Sequence, residues 1–129
     1  FDVIVTTNMF GDILSDEASE IAGGLGLACS VNYGEENAMA QAQHGSAPEI
    51  AGRNIANPTA LIGSIAMLFN WLAIQRNDPK LDEAATEIQS ALAHMNSNVE
   101  TRTRDLGGHN STSGFGCGVT TYLEGTSRR

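Results

Sequence analysis

The chain opens on an unbroken β-branched run, Val3-Ile4-Val5-Thr6-Thr7, which predicts a strand over residues 1–7. Asn8-Met9-Phe10-Gly11 reads as the break after it. Ile13, Leu14, Ala18 and Ile21 then recur at helical spacing, so a helix is expected over 12–22, ended by Gly23-Gly24. Residues 25–31 form a short apolar segment. Residues 38–43 alternate in part and predict a short strand. Residues 44–58 read as a long loop punctuated by Gly45, Pro48, Gly52 and Pro58. Loops of this length without structure of their own are uncommon in compact domains and are often functional.

The second half is more regular. Asn57-Pro58 supplies a cap followed by proline at a first helical position, and the helix after it is apolar around much of its circumference (Leu61, Ile62, Ile65, Met67, Leu68, Phe69, Trp71, Leu72, Ile74). Such a helix is expected to be buried. Asp78-Pro79 repeats the start signal. There Leu81, Ala84, Ala85, Ile88, Leu92 and Met95 form one stripe, so Glu83, Glu87 and Gln89 are expected to face outward. Residues 104–108 read as a turn. Residues 119–123 suit a last helix, although Gly114, Gly116 and Gly118 each weaken a helix by about 1 kcal/mol relative to alanine.

Composition narrows the function classes. A net charge of −8 with scattered basic residues, paired only at Arg102/Arg104 and Arg128/Arg129, argues against a nucleic-acid surface. No apolar run has the length of a membrane span, and the N-terminal residues lack the features of a signal peptide. Cys29 and Cys117 lie far apart without metal-ligand spacing and read as reduced thiols of an intracellular, cytoplasmic protein (or of a mitochondrial or plastid matrix).

Two segments carry candidate chemistry. Asp12 and Asp16, four residues apart, share one helix face, an arrangement that suits a hard divalent cation such as Mg²⁺ or Mn²⁺. The same acids also suit the first turn of any helix, where they offset its dipole. In the loop, His44-Gly45-Ser46-Ala47-Pro48-Glu49-Ile50 concentrates small residues that let a flat ligand approach the backbone, and Glu49 suits a ribose diol. Neither a dinucleotide fingerprint G-x-G-x-x-G nor a P-loop is present. Taken singly, His44 also reads as a structural histidine and Asn57 as a helix cap.

The complete strings say more. Residues 8–18, Asn8-Met9-Phe10-Gly11-Asp12-Ile13-Leu14-Ser15-Asp16-Glu17-Ala18, resemble the metal-binding helix start of the isopropylmalate/isocitrate dehydrogenase superfamily. Residues 44–52, with Ile55-Ala56-Asn57-Pro58, resemble its adenosine-binding loop. The order and spacing of the two also match, and the likeness is strongest to isopropylmalate dehydrogenase and its tartrate, malate and homoisocitrate relatives. It implies an α/β isopropylmalate dehydrogenase-like fold, this chain being the C-terminal fragment of a two-domain enzyme. Residues 1–22 would close a smaller, dimer-interface domain, and 23–129 would belong to a larger NAD-binding domain.

By the same resemblance, Asp12 and Asp16 are ligands of a catalytic Mg²⁺ or Mn²⁺, and His44, Gly45, Ser46, Ala47, Pro48, Glu49, Ile50 and Asn57 hold the adenosine of NAD. The implied reaction oxidises a small 2-hydroxy acid of the 3-isopropylmalate type and decarboxylates the product, in a homodimer. Glu49, where NADP enzymes tend to carry lysine, implies NAD; the family's usual residue there is aspartate, one methylene shorter. Gln41 stands where many relatives have glutamate. The family's substrate arginines, its acid–base tyrosine and lysine and a further metal aspartate from the partner subunit map before Phe1. This chain alone is therefore expected to be inert. The alternative is a shortened, non-catalytic or regulatory relative that binds nucleotide or metal.

Overall fold

The computed structural model describes residues 1–126. Helix α1 (Asn8–Ala22) is followed by a hairpin of β1 (Cys29–Tyr33) and β2 (Ala38–Ala42), then by α2 (Thr59–Arg76), α3 (Pro79–Ser97) and α4 (Thr112–Thr126). Single 3-10 turns at Leu25–Leu27, Pro48–Ile50 and Arg104–Leu106 punctuate the connections. Helix α2 is the hub: it packs on both strands and on α3, and α3 carries α4.

The hairpin is antiparallel, in register from Cys29 opposite Ala42 to Tyr33 opposite Ala38. Buried Ser64 of α2 pins it. Its Oγ accepts from the Ser30 backbone N–H at 3.0 Å, and its single proton has the carbonyls of Gln41 and Ala60 within 2.7 Å. The main core lies between α3 and α4, where Ala91, Leu92 and Met95 meet Phe115 and Val119. Burying a side chain such as Phe115 contributes about 1.5–3 kcal/mol.

Most predicted elements form. Asp78 caps α3 by accepting from the Lys80 N–H at 3.0 Å, with Pro79 in the first turn. Gly23, at φ 136°, ends α1: its N–H donates to the Glu20 carbonyl, and the Gly24 N–H donates to the Ser19 carbonyl. The Asn57-Pro58 start is displaced by one residue: α2 begins at Thr59, and Asn57 Oδ1 accepts from the Thr59 N–H at 2.9 Å. Helix α4 forms despite its glycines. At Gly118 the reason is contact, because a Cβ there would run into the Met95 thioether.

Three expectations need correction. Residues 1–7 are exposed and form no strand; β-branched residues favour extended backbone, but a strand exists only when a neighbour completes its hydrogen-bond ladder. Helix α1 starts at Asn8, not at 12, because the Gly11 N–H reaches the Thr7 carbonyl at 2.8 Å and closes a turn through the supposed break. Helix α2 buries mainly its small residues, Ala60, Gly63, Ser64, Ala66 and Ala73, while Leu61, Ile65 and Ile74 are exposed. Arg128 and Arg129 lie outside the described residues. Among those described, no helix is long and apolar enough to cross a membrane, and both cysteines are free.

Candidate functional site

Asp12 and Asp16 lie one turn apart on α1, both exposed. Because α1 begins at Asn8, its first turn holds no acidic residue. The dipole account of these carboxylates therefore fails, since that effect fades within the first turn. Gln43 reaches Asp16 across the fold, donating from Nε2 to Oδ1 at 3.4 Å. Two carboxylates are a partial shell of hard oxygen donors, fit for Mg²⁺ or Mn²⁺ once other oxygens complete it. Among the described residues no cluster of three or more His, Cys, Asp or Glu is placed to hold a metal.

The loop after β2 forms one wall of a cleft of about 860 Å³. His44, Gly45, Ser46, Ala47, Ile50 and Asn57 all line it; Pro48 and Glu49 are not among its lining residues. Glu49 sits exposed in the 3-10 turn Pro48–Ile50. His44 Nδ1 lies 2.9 Å from the Gly45 carbonyl, and because a carbonyl only accepts, that contact needs the proton on Nδ1. Ala47 is left-handed (φ 43°, ψ 62°) directly before a proline, a position that normally forces extended backbone. A non-glycine residue held so costs about 1–3 kcal/mol, and such strain concentrates at ligand clamps.

Asn54 holds the far end of the loop, with its backbone also left-handed at φ 55°. Its side chain pairs reciprocally with Ser113: Nδ2 donates to Oγ at 2.8 Å, and Oδ1 accepts from the backbone N–H at 3.0 Å. The loop is thereby tied to the start of α4.

The cleft also recruits residues that sequence spacing did not flag, among them Gly26 and Asp105. Asp105 accepts from Asn57 Nδ2 at 2.9 Å across 48 positions of sequence. No local pattern encodes that pairing. Gly26, a glycine inside an apolar segment, carried the one available hint of a close approach.

A sequence profile of isocitrate/isopropylmalate dehydrogenase matches residues 1–119. The chain belongs to this family. Homoisocitrate dehydrogenase of Methanocaldococcus jannaschii is 50% identical over 123 residues, which cover 95% of this chain and 33% of that protein. The mitochondrial NAD isocitrate dehydrogenase catalytic subunit 6 of Arabidopsis thaliana is 44% identical over 124 residues, covering 95% of this chain and 31% of that one. Among solved structures, the apo form of a beta-decarboxylating dehydrogenase from Thermococcus kodakarensis superposes with a TM-score of 0.77 at 38% identity, over 94% of this chain and 33% of its own. The chain thus has the α/β fold of this dehydrogenase family and spans about a third of the length of these relatives.

Burial pushes the Cys29 thiol above the ordinary 9.0. The thiol donates to the Leu27 carbonyl at 3.5 Å and packs against Gly63. It reads as a structural thiol, not as a nucleophile.

Proposed function

We propose that this chain supplies the adenosine cleft and two metal carboxylates of a dehydrogenase that oxidises and decarboxylates a 2-hydroxy acid of the 3-isopropylmalate type, with NAD as hydride acceptor. The observation that carries the reading is the assembly, on one chain of this family, of an Asp12/Asp16 face bonded through Gln43 to the loop that walls the cleft. The relatives' names point the same way, since they include homoisocitrate, 3-isopropylmalate and NAD isocitrate dehydrogenases.

Each part of the chain has a task in this reading. The glycine and alanine backbone from Gly45 to Gly52 admits a planar base without side-chain obstruction. His44 offers a ring face and Asn57 an amide whose orientation is already fixed. Glu49, exposed beside the cleft, accepts from ribose hydroxyls and repels a 2′-phosphate, which favours NAD over NADP. Asp12 and Asp16 hold Mg²⁺ or Mn²⁺, which when bound acts as a Lewis acid on the substrate's hydroxyl and carboxylate oxygens. The reading also includes a domain division after residue 22 and a homodimer, in support of which α1 leaves Met9, Phe10, Ile13, Leu14 and Ile21 exposed.

The test is an assay of the native polypeptide that contains this chain, with NAD, Mn²⁺ and a panel of 2-hydroxy acids, following NADH absorbance and CO₂ release together. Equal yields of both products, dependent on Mn²⁺, are expected. Binding of NAD and Mn²⁺ without turnover on any acid would instead establish a non-catalytic relative.

A further inference from the structure

We propose that Asp105 is a positioning residue of the cleft, acting through Asn57 to set the hydrogen-bonding face shown to a bound base. The proposal rests on the adenosine reading of the cleft and extends it to a residue 48 positions away. Three connections converge on the pair: the end of the long loop at Asn57, the 3-10 turn Arg104–Leu106, and the 3-10 turn Leu25–Leu27.

The amide of Asn57 is held at both ends. Oδ1 accepts from the Thr59 N–H at 2.9 Å, and Nδ2 donates to Asp105 Oδ2 at 2.9 Å. A backbone N–H only donates and a carboxylate only accepts, so a flipped amide would oppose donor to donor and oxygen to oxygen. With these contacts made, the amide keeps one N–H and one lone pair for a ligand. That set complements the amino donor and ring-nitrogen acceptor on the edge of an adenine. Without Asp105, the Thr59 contact alone would anchor one end of the amide.

Asp105 is held in turn. Thr103, with none of its surface exposed, donates from Oγ1 to Asp105 Oδ1 at 2.5 Å. The Thr103 carbonyl accepts from the Leu106 and Gly108 N–H groups at 3.2 and 2.9 Å, which fixes the turn. Gly26 leaves the pair its space: a Cβ there would lie 2.8 Å from Asp105 Oδ2 and 3.0 Å from the Asn57 Cβ. Such approaches oblige one of the partners to move.

The experiment is a double-mutant cycle on the native polypeptide with Asn57→Ala, Asp105→Ala and both together. Affinities for NAD, ADP-ribose and, separately, Mn²⁺ are measured by calorimetry, and KM and kcat are measured where there is turnover. Asp105→Ala is expected to weaken NAD and ADP-ribose about tenfold, the loss typical of one hydrogen bond to a charged group. It should raise the KM for NAD at constant kcat and leave Mn²⁺ affinity alone. The double variant should bind no worse than Asn57→Ala, because Asp105 acts through that amide. Asp105→Asn, which still offers an oxygen to Asn57, should recover part of the loss, and Gly26→Ala should reproduce it if Asp105→Ala does not fold.

Additive losses in the cycle would overturn the proposal by showing that Asp105 meets the ligand independently of Asn57. Parallel falls in NAD affinity, Mn²⁺ affinity and Tm would overturn it in favour of a scaffold role. Failure of the unmutated protein to bind NAD or ADP-ribose would defeat the adenosine reading itself, before any variant is compared.

Discussion

Gln43 donates from its side-chain amide to Oδ1 of Asp16 at 3.4 Å, so the residue immediately before His44 touches one of the two aspartates of α1. The bond is long and exposed, and contacts of that kind contribute only about 0.5–1.5 kcal/mol. Gln43→Ala is therefore expected to weaken Mn²⁺ by less than about tenfold. Asp12→Asn or Asp16→Asn, which remove half of a hard oxygen pair, should abolish Mn²⁺ activation at ordinary concentrations. Mn²⁺ titrations of the three variants in the complete protein decide this. Unchanged metal dependence in Asp12→Asn would remove that residue from the site.

Glu49 sets the second prediction. It stands exposed in a 3-10 turn beside the cleft, two residues after left-handed Ala47. A carboxylate there opposes an added 2′-phosphate, and a lysine would attract it. Glu49→Lys should lower the ratio of kcat/KM for NAD over NADP by about tenfold or more, on the scale of a charge-assisted contact. A ratio that stays fixed would show that position 49 does not read the ribose.

How much of this was legible in the residues depends on how local each feature is. Asp78-Pro79 announced α3 because a cap and a proline act within one turn, and the loop announced itself by its glycines and prolines. The start of α1 was misread because Gly11 looked like a breaker. In the structure a Cβ at Gly11 would stand 2.8 Å from Thr6 Oγ1, so the glycine serves a close approach within the helix start. Residues 1–7 were misread for the opposite reason, since their propensity was real and no paired strand meets them among the described residues. Asp105 was invisible as a site residue, because only the tertiary fold brings it to Asn57.

Gly63 and Cys29 supply a prediction about packing. A Cβ at Gly63 would collide with the Cys29 sulfur, so Gly63→Ala should destabilise the fold by about 1–3 kcal/mol, and Cys29→Ala in the same chain should restore much of that loss. Thermal melts of the four combinations test it. The thiol adds a pH signature. Burial raises its pKa above 9.0, so folding favours the protonated form. That contribution to stability is fully present below pH 9.0 and is lost as pH rises through the higher, folded-state value. Unfolding free energy should thus fall above pH 9.0 in the parent chain, and fall less in Cys29→Ala.

The exposed side of α2 yields the last prediction. Ile74 is exposed there and borders a cleft of about 590 Å³ between α2 and the end of β1, lined also by Val31, Tyr33, Met67 and Trp71, while Leu61 and Ile65 are exposed on another face of the same helix. Asn70 Oδ1 and Trp71 Nε1, both buried, have no hydrogen-bond partner among the described residues. An apolar face with unpaired polar atoms inside it is costly in water, and a contiguous patch of this kind usually marks a surface that packs on something else. Expressed alone, the 129 residues should therefore bind a hydrophobic dye and self-associate, whereas the native polypeptide that contains them should do neither through this face. Fluorescence of Trp71, the single tryptophan of this sequence, reports the difference in the isolated chain, where its emission should shift to the blue on association. An isolated chain that stays monomeric and dye-negative at high concentration would show that α2 needs no cover.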